Sequence, residues 1–380
     1  MNGTVAYVDF DGSDAQKRKL VGVRRYADAF GLSLVVVSER ESRPRRLKAR
    51  LKSMHPCGCI VECSAGRSDL PPEFFGDIPV VYLDGWDAYG ETAVIVMHDN
   101  EATAKAAFRE LVACRPSSLA VVGWTKDVCW TRIRERFFMN LSRRAGLRCF
   151  AFQRREESAA SRRSRLAKWV RGLPSHCGVF AVNDLVAKEV LEACRASGRA
   201  LPADLFVLGV DNNEAICGPC DVSSVQIDFE WAGYRAMDLL DRIRFKRHGK
   251  GARAVFGPLL VVRRRSTGGM GLGSQRVLDA VDLIRMKSCD GLRAVDVASF
   301  IGGSRRMAEM SFRAALGHSI LAEIISVRMA RACQLLRDRS VPLQSVALHS
   351  GFPSVAALRK SFRLRMGTSL LRWRTANTYS

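Results

Sequence analysis

The chain has 380 residues, 47% hydrophobic and 26% charged, enough apolar material for packed cores. That excludes a wholly disordered chain and predicts two or three domains. Sixty Lys and Arg against 38 Asp and Glu leave a net charge of +22, a balance that suits a polyanionic partner, either nucleic acid or an anionic surface.

No uncharged apolar run reaches the roughly 18 residues that a membrane-spanning helix needs. Asp9 and Asp11 interrupt the N-terminus where a secretion signal would be basic and then apolar. No membrane partner and a cytosolic location are therefore expected. Such a compartment keeps thiols reduced, so the twelve cysteines predict no disulfide framework. Cys57, Cys59 and Cys63 lie on or beside an apolar run that reads as a buried strand rather than a metal cluster. Cys217-Gly-Pro-Cys220 has redox-motif spacing but no thioredoxin-like context, and reads as a loop.

The first 265 residues alternate apolar runs with amphipathic stretches. Strands are predicted at Val5–Val8, Leu34–Val37, Cys59–Val61, Val80–Leu83, Val94–Met97, Leu119–Val122, Gly178–Val182 and Phe206–Val210. Helices are predicted at Lys17–Phe30, Ala102–Ala113, Trp130–Ala145, Ser158–Arg171, Asp184–Ala196 and Trp231–Phe245, with the chain returning near Ser223–Val225. Unalternated apolar strands interleaved with helices imply parallel sheets covered on both faces. The expected fold class is α/β, two lobes on parallel doubly wound sheets, over residues 1–265.

Several strands end in polar tags: Met97-His98-Asp99-Asn100, Val182-Asn183-Asp184 and Val210-Asp211-Asn212-Asn213. Ligands of open parallel sheets bind at the carboxyl ends of strands, and Asp and Asn there suit a polyhydroxylated ligand. The competing role is helix N-capping. For Asn183 and Asp184 the two roles are equally supported by spacing, and for Asn213 the cap is favoured. Asp99, Asp184, Asp211 and Asn212 make an acidic cleft, which disfavours sugar phosphates and acids and favours a neutral polyol.

These residues carry a resemblance. Val182-Asn-Asp-Leu-Val-Ala187, Leu208-Gly-Val-Asp-Asn212 and Pro219-Cys-Asp-Val-Ser-Ser-Val-Gln-Ile-Asp228, followed by Gly233-Tyr-Arg-Ala236, resemble the sugar-binding core of the LacI and periplasmic-binding-protein superfamily. Trp130-Thr-Arg-Ile-Arg134 resembles the family's sugar-contacting segment. The resemblance implies a two-lobed sugar sensor that closes around its ligand, with Trp130, Arg134, Asp184 and Asp211 at a pentose, xylose by analogy.

Glycine-rich chain at 266–274 reads as an interdomain linker. From Ser274 to Ser380, 17 Lys and Arg stand against 7 Asp and Glu, and the segment repeats itself. Val297-Ala298 and Gly302 recur as Val346-Ala347 and Gly351 at an offset of 49. Ser304, Phe312-Arg313, Gly317 and Ser319 recur as Ser354, Phe362-Arg363, Gly367 and Ser369 at an offset of 50. Each copy has an apolar helix, a glycine turn, a capping serine and a basic helix, which is a helix-turn-helix. Ile320–Leu336 reads as a bridging helix between them. An all-α tandem helix-turn-helix domain is expected over 275–380, with double-stranded DNA as partner. Ser304 and Ser354 are predicted caps. Arg305, Arg306, Glu309, Arg359 and Lys360 are predicted to face bases or backbone, and Arg313 and Arg363 to face phosphates.

This segment closely resembles the AraC/XylS DNA-binding domain, carried by the two turns, the bridge with Arg328, Ala332 and Leu335-Leu336, and Ser350-Gly-Phe352. Met310, Ser311, Ala357 and Leu370 depart from that pattern. An AraC-type domain behind a LacI-like sensor resembles the xylose-operon regulators. The resemblance implies a pentose-responsive activator that forms a homodimer and, by family analogy, works with RNA polymerase. The alternatives are an enzyme or a carbohydrate-binding protein without a regulatory role. His98 beside Asp99 is the only dyad, and no phosphate-cradling loop, nucleophile elbow or metal pair is found, so no enzyme, catalytic residue, metal or cofactor is expected.

Overall fold

The computed structural model describes residues 3–9, 12–37, 43–63, 70–85, 89–245, 251–268, 272–316, 318–336, 341–366 and 368–377. Two compact units divide the chain, Met1–Gly269 and Met270–Ser380.

The first unit holds two six-stranded sheets. One contains β1 (Thr4–Val8), β2 (Ser33–Val37), β3 (Gly58–Glu62), β4 (Val80–Leu83), β5 (Val94–His98) and β11 (Arg253–Phe256), in the order β11-β5-β4-β3-β1-β2. The other contains β6 (Ser118–Val122), β7 (Cys149–Phe152), β8 (Cys177–Ala181), β9 (Leu205–Val210), β10 (Ser223–Ile227) and β12 (Pro258–Val262), in the order β12-β10-β9-β8-β6-β7. The strand pairs are parallel except β10 with β12, which are antiparallel. Central strands β3, β6 and β8 are buried at every position, because helices cover both faces. This is why they read as unbroken apolar runs.

Five elements were not legible as separate features: β7, β11, β12, α2 (Pro44–Met54) and α7 (Glu214–Cys220). Helix α2 buries only Leu47 and Leu51 among its basic residues, and β11 is an edge strand with one buried residue. Periodicity is faint in such elements. Helix α7 corrects the loop expected at Cys217-Gly-Pro-Cys220, with Cys217 buried inside.

The remaining helices are α1 (Asp14–Phe30), α3 (Asn100–Ala113), α4 (Cys129–Arg144), α5 (Ala159–Arg171), α6 (Asp184–Ser197) and α8 (Phe229–Arg244). The chain passes between lobes at three places. After β5, helix α3 packs on β8, β9, β10 and β12. After β10, helix α8 returns to β3, β4, β5 and β11. The turn at Gly257 joins β11 to β12. Within each lobe the strand order runs 2-1-3-4-5, so strand connections reverse direction beside β1 and beside β6, where a ligand crevice forms.

Arg264–Thr267, next to and partly within the expected linker, is ordered chain. Arg264, Ser266 and Thr267 are buried, and the Ser266 hydroxyl donates to the Val207 carbonyl at 2.6 Å.

The second unit is helical: α9 (Leu272–Lys287), α10 (Ala294–Ile301), α11 (Arg305–Leu316), α12 (Ile320–Leu336), α13 (Leu343–His349), α14 (Val355–Met366) and α15 (Leu370–Asn377). Helices α10 and α11 form one helix-turn-helix, α13 and α14 the second, and α12 bridges them. Phe312 and Phe362 are each fully buried at equivalent places of the repeat, and Leu370 packs into the second core. Arg328 on the bridge donates Nε to the Ser288 carbonyl and Nη2 to that of Leu292, both at 2.8 Å. Gly351 has φ +75°, and a Cβ there would sit 2.8 Å from the Ser288 oxygen, so only glycine fits this turn.

Candidate ligand cleft and DNA-reading surface

Between the lobes of the first unit lies a cleft of about 260 Å³ at the carboxyl ends of the strands. Ser13 and Asp14 follow β1, Asp84 follows β4 and His98 ends β5. From the other lobe come Trp124, Lys126, Trp130, Arg134, Asn183, Asp184 and Asp211, with Phe229 at the second crossing.

Arg134 is the best-anchored cation in this wall. It is 3% exposed. Its Nε donates to Asn100 Oδ1 at 2.9 Å, Nη1 to the Val182 carbonyl at 2.6 Å and Nη2 to His98 Nδ1 at 3.2 Å. Because guanidinium only donates, His98 Nδ1 accepts, and the ring proton sits on Nε2, facing Thr103 Oγ1 at 2.9 Å. Burial, then the Arg134 charge, hold His98 well below its ordinary pKa, so it is a neutral spacer. Trp130 lies under Arg134, whose Cζ is 4.7 Å from the ring centroid, and Trp124 packs on Trp130 at 5.4 Å. One face of the cleft is thus aromatic and backed by a fixed cation.

The two aspartates differ. Asp184 is buried, accepting from the Ser224 hydroxyl on Oδ1 and the Asn213 backbone N–H on Oδ2, both at 2.7 Å. It ties the ends of β8, β9 and β10 together while lining the cleft. Asp211 has φ +103°, a strained conformation for a non-glycine residue that holds its carboxylate toward the crevice. Its backbone carbonyl accepts from Arg18 Nη1 at 2.6 Å, while among the described residues no donor is recorded on its carboxylate. Burial, with Asp211 adding repulsion, pushes Asp184 up to about 7. Burial pushes Asp211 up to about 6 against the pull of Arg134, Arg18 and Lys19.

Behind Asp84 lies a group that the sequence reading missed. Lys19 is fully buried, with Nζ 3.0 Å from Glu62 Oε1 and 2.8 Å from Asp84 Oδ2. Burial opposes its charge, but Asp84 and Glu62 outweigh that and raise its pKa. A signal was present: Lys19 shares the apolar stripe of α1 with Val23 and Tyr26, at i, i+4 and i+7.

Of the seven predicted ligand residues, the structure brings Trp130, Arg134, Asn183, Asp184 and Asp211 together in the cleft. Asn183 lines the cleft while its Oδ1 caps α6, accepting from Val186 N at 2.9 Å. Two residues fall elsewhere. Asp99 caps α3, accepting from Ala102 N at 2.7 Å, and does not line the cleft. Asn212 turns into the lobe, bonding Gln226 Oε1 at 2.9 Å and Arg264 Nη1 at 2.8 Å. Asn183 and Asp184 line the cleft together, whereas Asp99 and Asn212 turn away from it beside His98 and Asp211, so a strand-end tag does not send all its polar groups to one ligand.

In the second unit, Ser304 accepts from Met307 N at 3.2 Å and Ser354 from Ala357 N at 3.1 Å, so both serines cap reader helices. Arg305, Arg306, Arg313, Arg359, Lys360 and Arg363 are all exposed. Glu309 is half-buried, and its Oε1 accepts from Arg313 Nε at 3.0 Å.

A model of the periplasmic-binding-protein-like domain matches residues 108–267, and a helix-turn-helix domain model matches residues 297–376. The xylose operon regulatory protein of Escherichia coli strain K12 is 28% identical over 312 residues, 80% of each chain. A solved xylose-binding transcription activator aligns over 100% of this chain and 99% of its own, with TM-score 0.59 and 22% identity. A dimeric Lac repressor aligns over 69% of this chain and 98% of its own, with TM-score 0.57 and 17% identity. At these identities the solved structures establish the fold.

Proposed function

We propose, on the premise that this chain joins a periplasmic-binding-protein-like domain to an AraC-type helix-turn-helix domain in the organisation of the xylose operon regulators, that it is a sugar-responsive, sequence-specific DNA-binding regulator. Its effector is a neutral pentose, xylose by analogy with the E. coli relative, and it activates a pentose-utilisation operon.

One arrangement carries this reading. The Asp211 carboxylate faces a cleft that the Arg134–Trp130 pair of the same lobe also lines, and the same chain carries two capped, cationic reader helices. A sugar needs a π-face for its apolar side and a carboxylate and guanidinium for its hydroxyls. Acidic lining repels phosphorylated and acidic sugars. His98 is held neutral with both ring nitrogens engaged, which suits binding rather than proton transfer, so no catalysis is assigned. The regulator works as a homodimer in the cytoplasm, as the dimeric Lac repressor relative suggests, and contacts RNA polymerase as an activator.

The test is calorimetry of the full chain against neutral pentoses, hexoses and their phosphates. Binding of a neutral pentose, lost in Asp211→Ala, is expected. Tight binding of a phosphorylated or acidic compound, unaffected by that substitution, would overturn the ligand class and the site together.

A further inference from the structure

The internal repeat sets the two reader helices position against position, and the middle of their outward faces differs. In α11, Ala308 and Phe312 are buried. With 3.6 residues per turn, Met310 lies about half a turn away from that pair, at the centre of the outward face. Arg306 and Arg313 flank it at i−4 and i+3. In α14, Leu358 and Phe362 are the buried pair, and the offset of 50 puts Lys360 at the central position, with Ala356 and Arg363 at its sides. Each face keeps two cations, but one centres on a thioether and the other on an ammonium.

Met310 is 60% exposed and Met307, one turn earlier, 64% exposed. Two large apolar side chains in water on a helix whose neighbours are Arg305, Arg306 and Arg313 gain nothing from the fold. The cations bring that face against phosphates. The apolar feature a duplex offers in its major groove is the thymine C5-methyl group, and an unbranched, polarizable side chain adapts to it well. A lysine at the same place, a point charge, suits phosphate or the acceptor edge of guanine.

We propose that Met310, seconded by Met307, makes the first reader helix a reader of thymine methyl groups, so that the two halves of this repeat demand chemically different half-sites. This rests on the reading that the unit binds duplex DNA, and it adds what each half recognises.

The experiment uses the full chain. Bound duplexes are selected from a randomised library, and the recovered sequence is remade with deoxyuridine at each thymine in turn, which removes one methyl group and nothing else. Expected is a loss of affinity of about three- to fivefold, the burial of one methyl, confined to thymines of one half-site. Met310→Ala should erase that sensitivity. Met310→Lys should erase it too and steepen the salt dependence by about one phosphate contact. Both substitutions are at an exposed position and leave the core intact. If a specific duplex is bound yet deoxyuridine costs nothing, or costs as much in Met310→Ala as in the parent, the thymine reading falls and DNA binding stands. If no duplex is retained at any salt concentration, DNA reading falls and this inference with it.

Discussion

A Cβ on Gly22 would lie 1.9 Å from the Glu230 carbonyl oxygen, and one on Gly233 1.8 Å from that of Lys19: α1 and α8 meet backbone to backbone at this glycine pair. Helix α1 brings Asp14 to the cleft, with Lys19 buried behind Asp84, and α8 brings Phe229, so the contact sets the width of one wall. Helix propensity alone would make Gly22→Ala stabilising by about 0.5–1 kcal/mol. The contact reverses the sign, and a loss of about 1–3 kcal/mol is expected, with weaker sugar binding. Thermal unfolding and calorimetry of Gly22→Ala decide between the two signs.

Asp184 and Asp211 should separate in mutagenesis. Asp211→Ala removes a carboxylate that accepts from no donor among the described residues, so sugar binding is lost while stability at neutral pH holds or rises. Asp184→Ala leaves the Ser224 hydroxyl and Asn213 N–H without their acceptor, which costs about 1–3 kcal/mol in addition to the ligand. Equal destabilisation by both would contradict these roles.

The same pair gives a pH dependence with a definite sign. Both carboxyls have raised pKa values in the folded chain, about 7 and about 6, against about 4 unfolded. Between about pH 4 and pH 7 the folded state binds more protons than the unfolded state, so stability falls as pH rises through that window. Sugar affinity runs the other way, because ionised Asp211 accepts hydroxyl protons, and it should rise through about pH 6. Denaturant unfolding over that range, with Asp211→Asn as comparison, checks the first claim. The variant's pH slope should be the shallower one.

Much of this was readable from residues. The apolar runs marked eight strands because a sheet covered on both faces needs no polar alternation, and the repeat marked both reader helices through Ser304 and Ser354, Phe312 and Phe362. Partner choice at strand ends was less legible. Asp99 shares its residue type with Asp211 and Asn212 with Asn183, yet one caps a helix and the other ties Arg264 into the lobe, because the backbone turn after each strand decides where the side chain points. Lys19 was missed because a lysine within a helix reads as surface until its carboxylate partners, distant in sequence, are in place.

On the DNA side, exposed and committed arginines should behave differently. Arg359 is exposed, and Arg359→Ala should leave folding unchanged. If the residue clasps a phosphate, the slope of log affinity against log salt becomes shallower by about 0.9. Arg328 spends its guanidinium on two carbonyls, so Arg328→Ala should destabilise the helical unit first. Salt titrations of duplex binding and thermal unfolding, run on both variants, read the two effects separately.

The central claim is that sugar occupancy and DNA binding are coupled in one chain. The most direct measurement is the affinity of the full chain for a duplex recovered by selection, with and without saturating xylose, in the parent and in Asp211→Ala. A shift on adding sugar, whose size is bounded by the sugar's differential affinity for the two states, is expected in the parent. Asp211→Ala should keep the sugar-free affinity and lose the shift. A parent that binds xylose and the duplex independently, or a shift that survives in Asp211→Ala, would contradict the account.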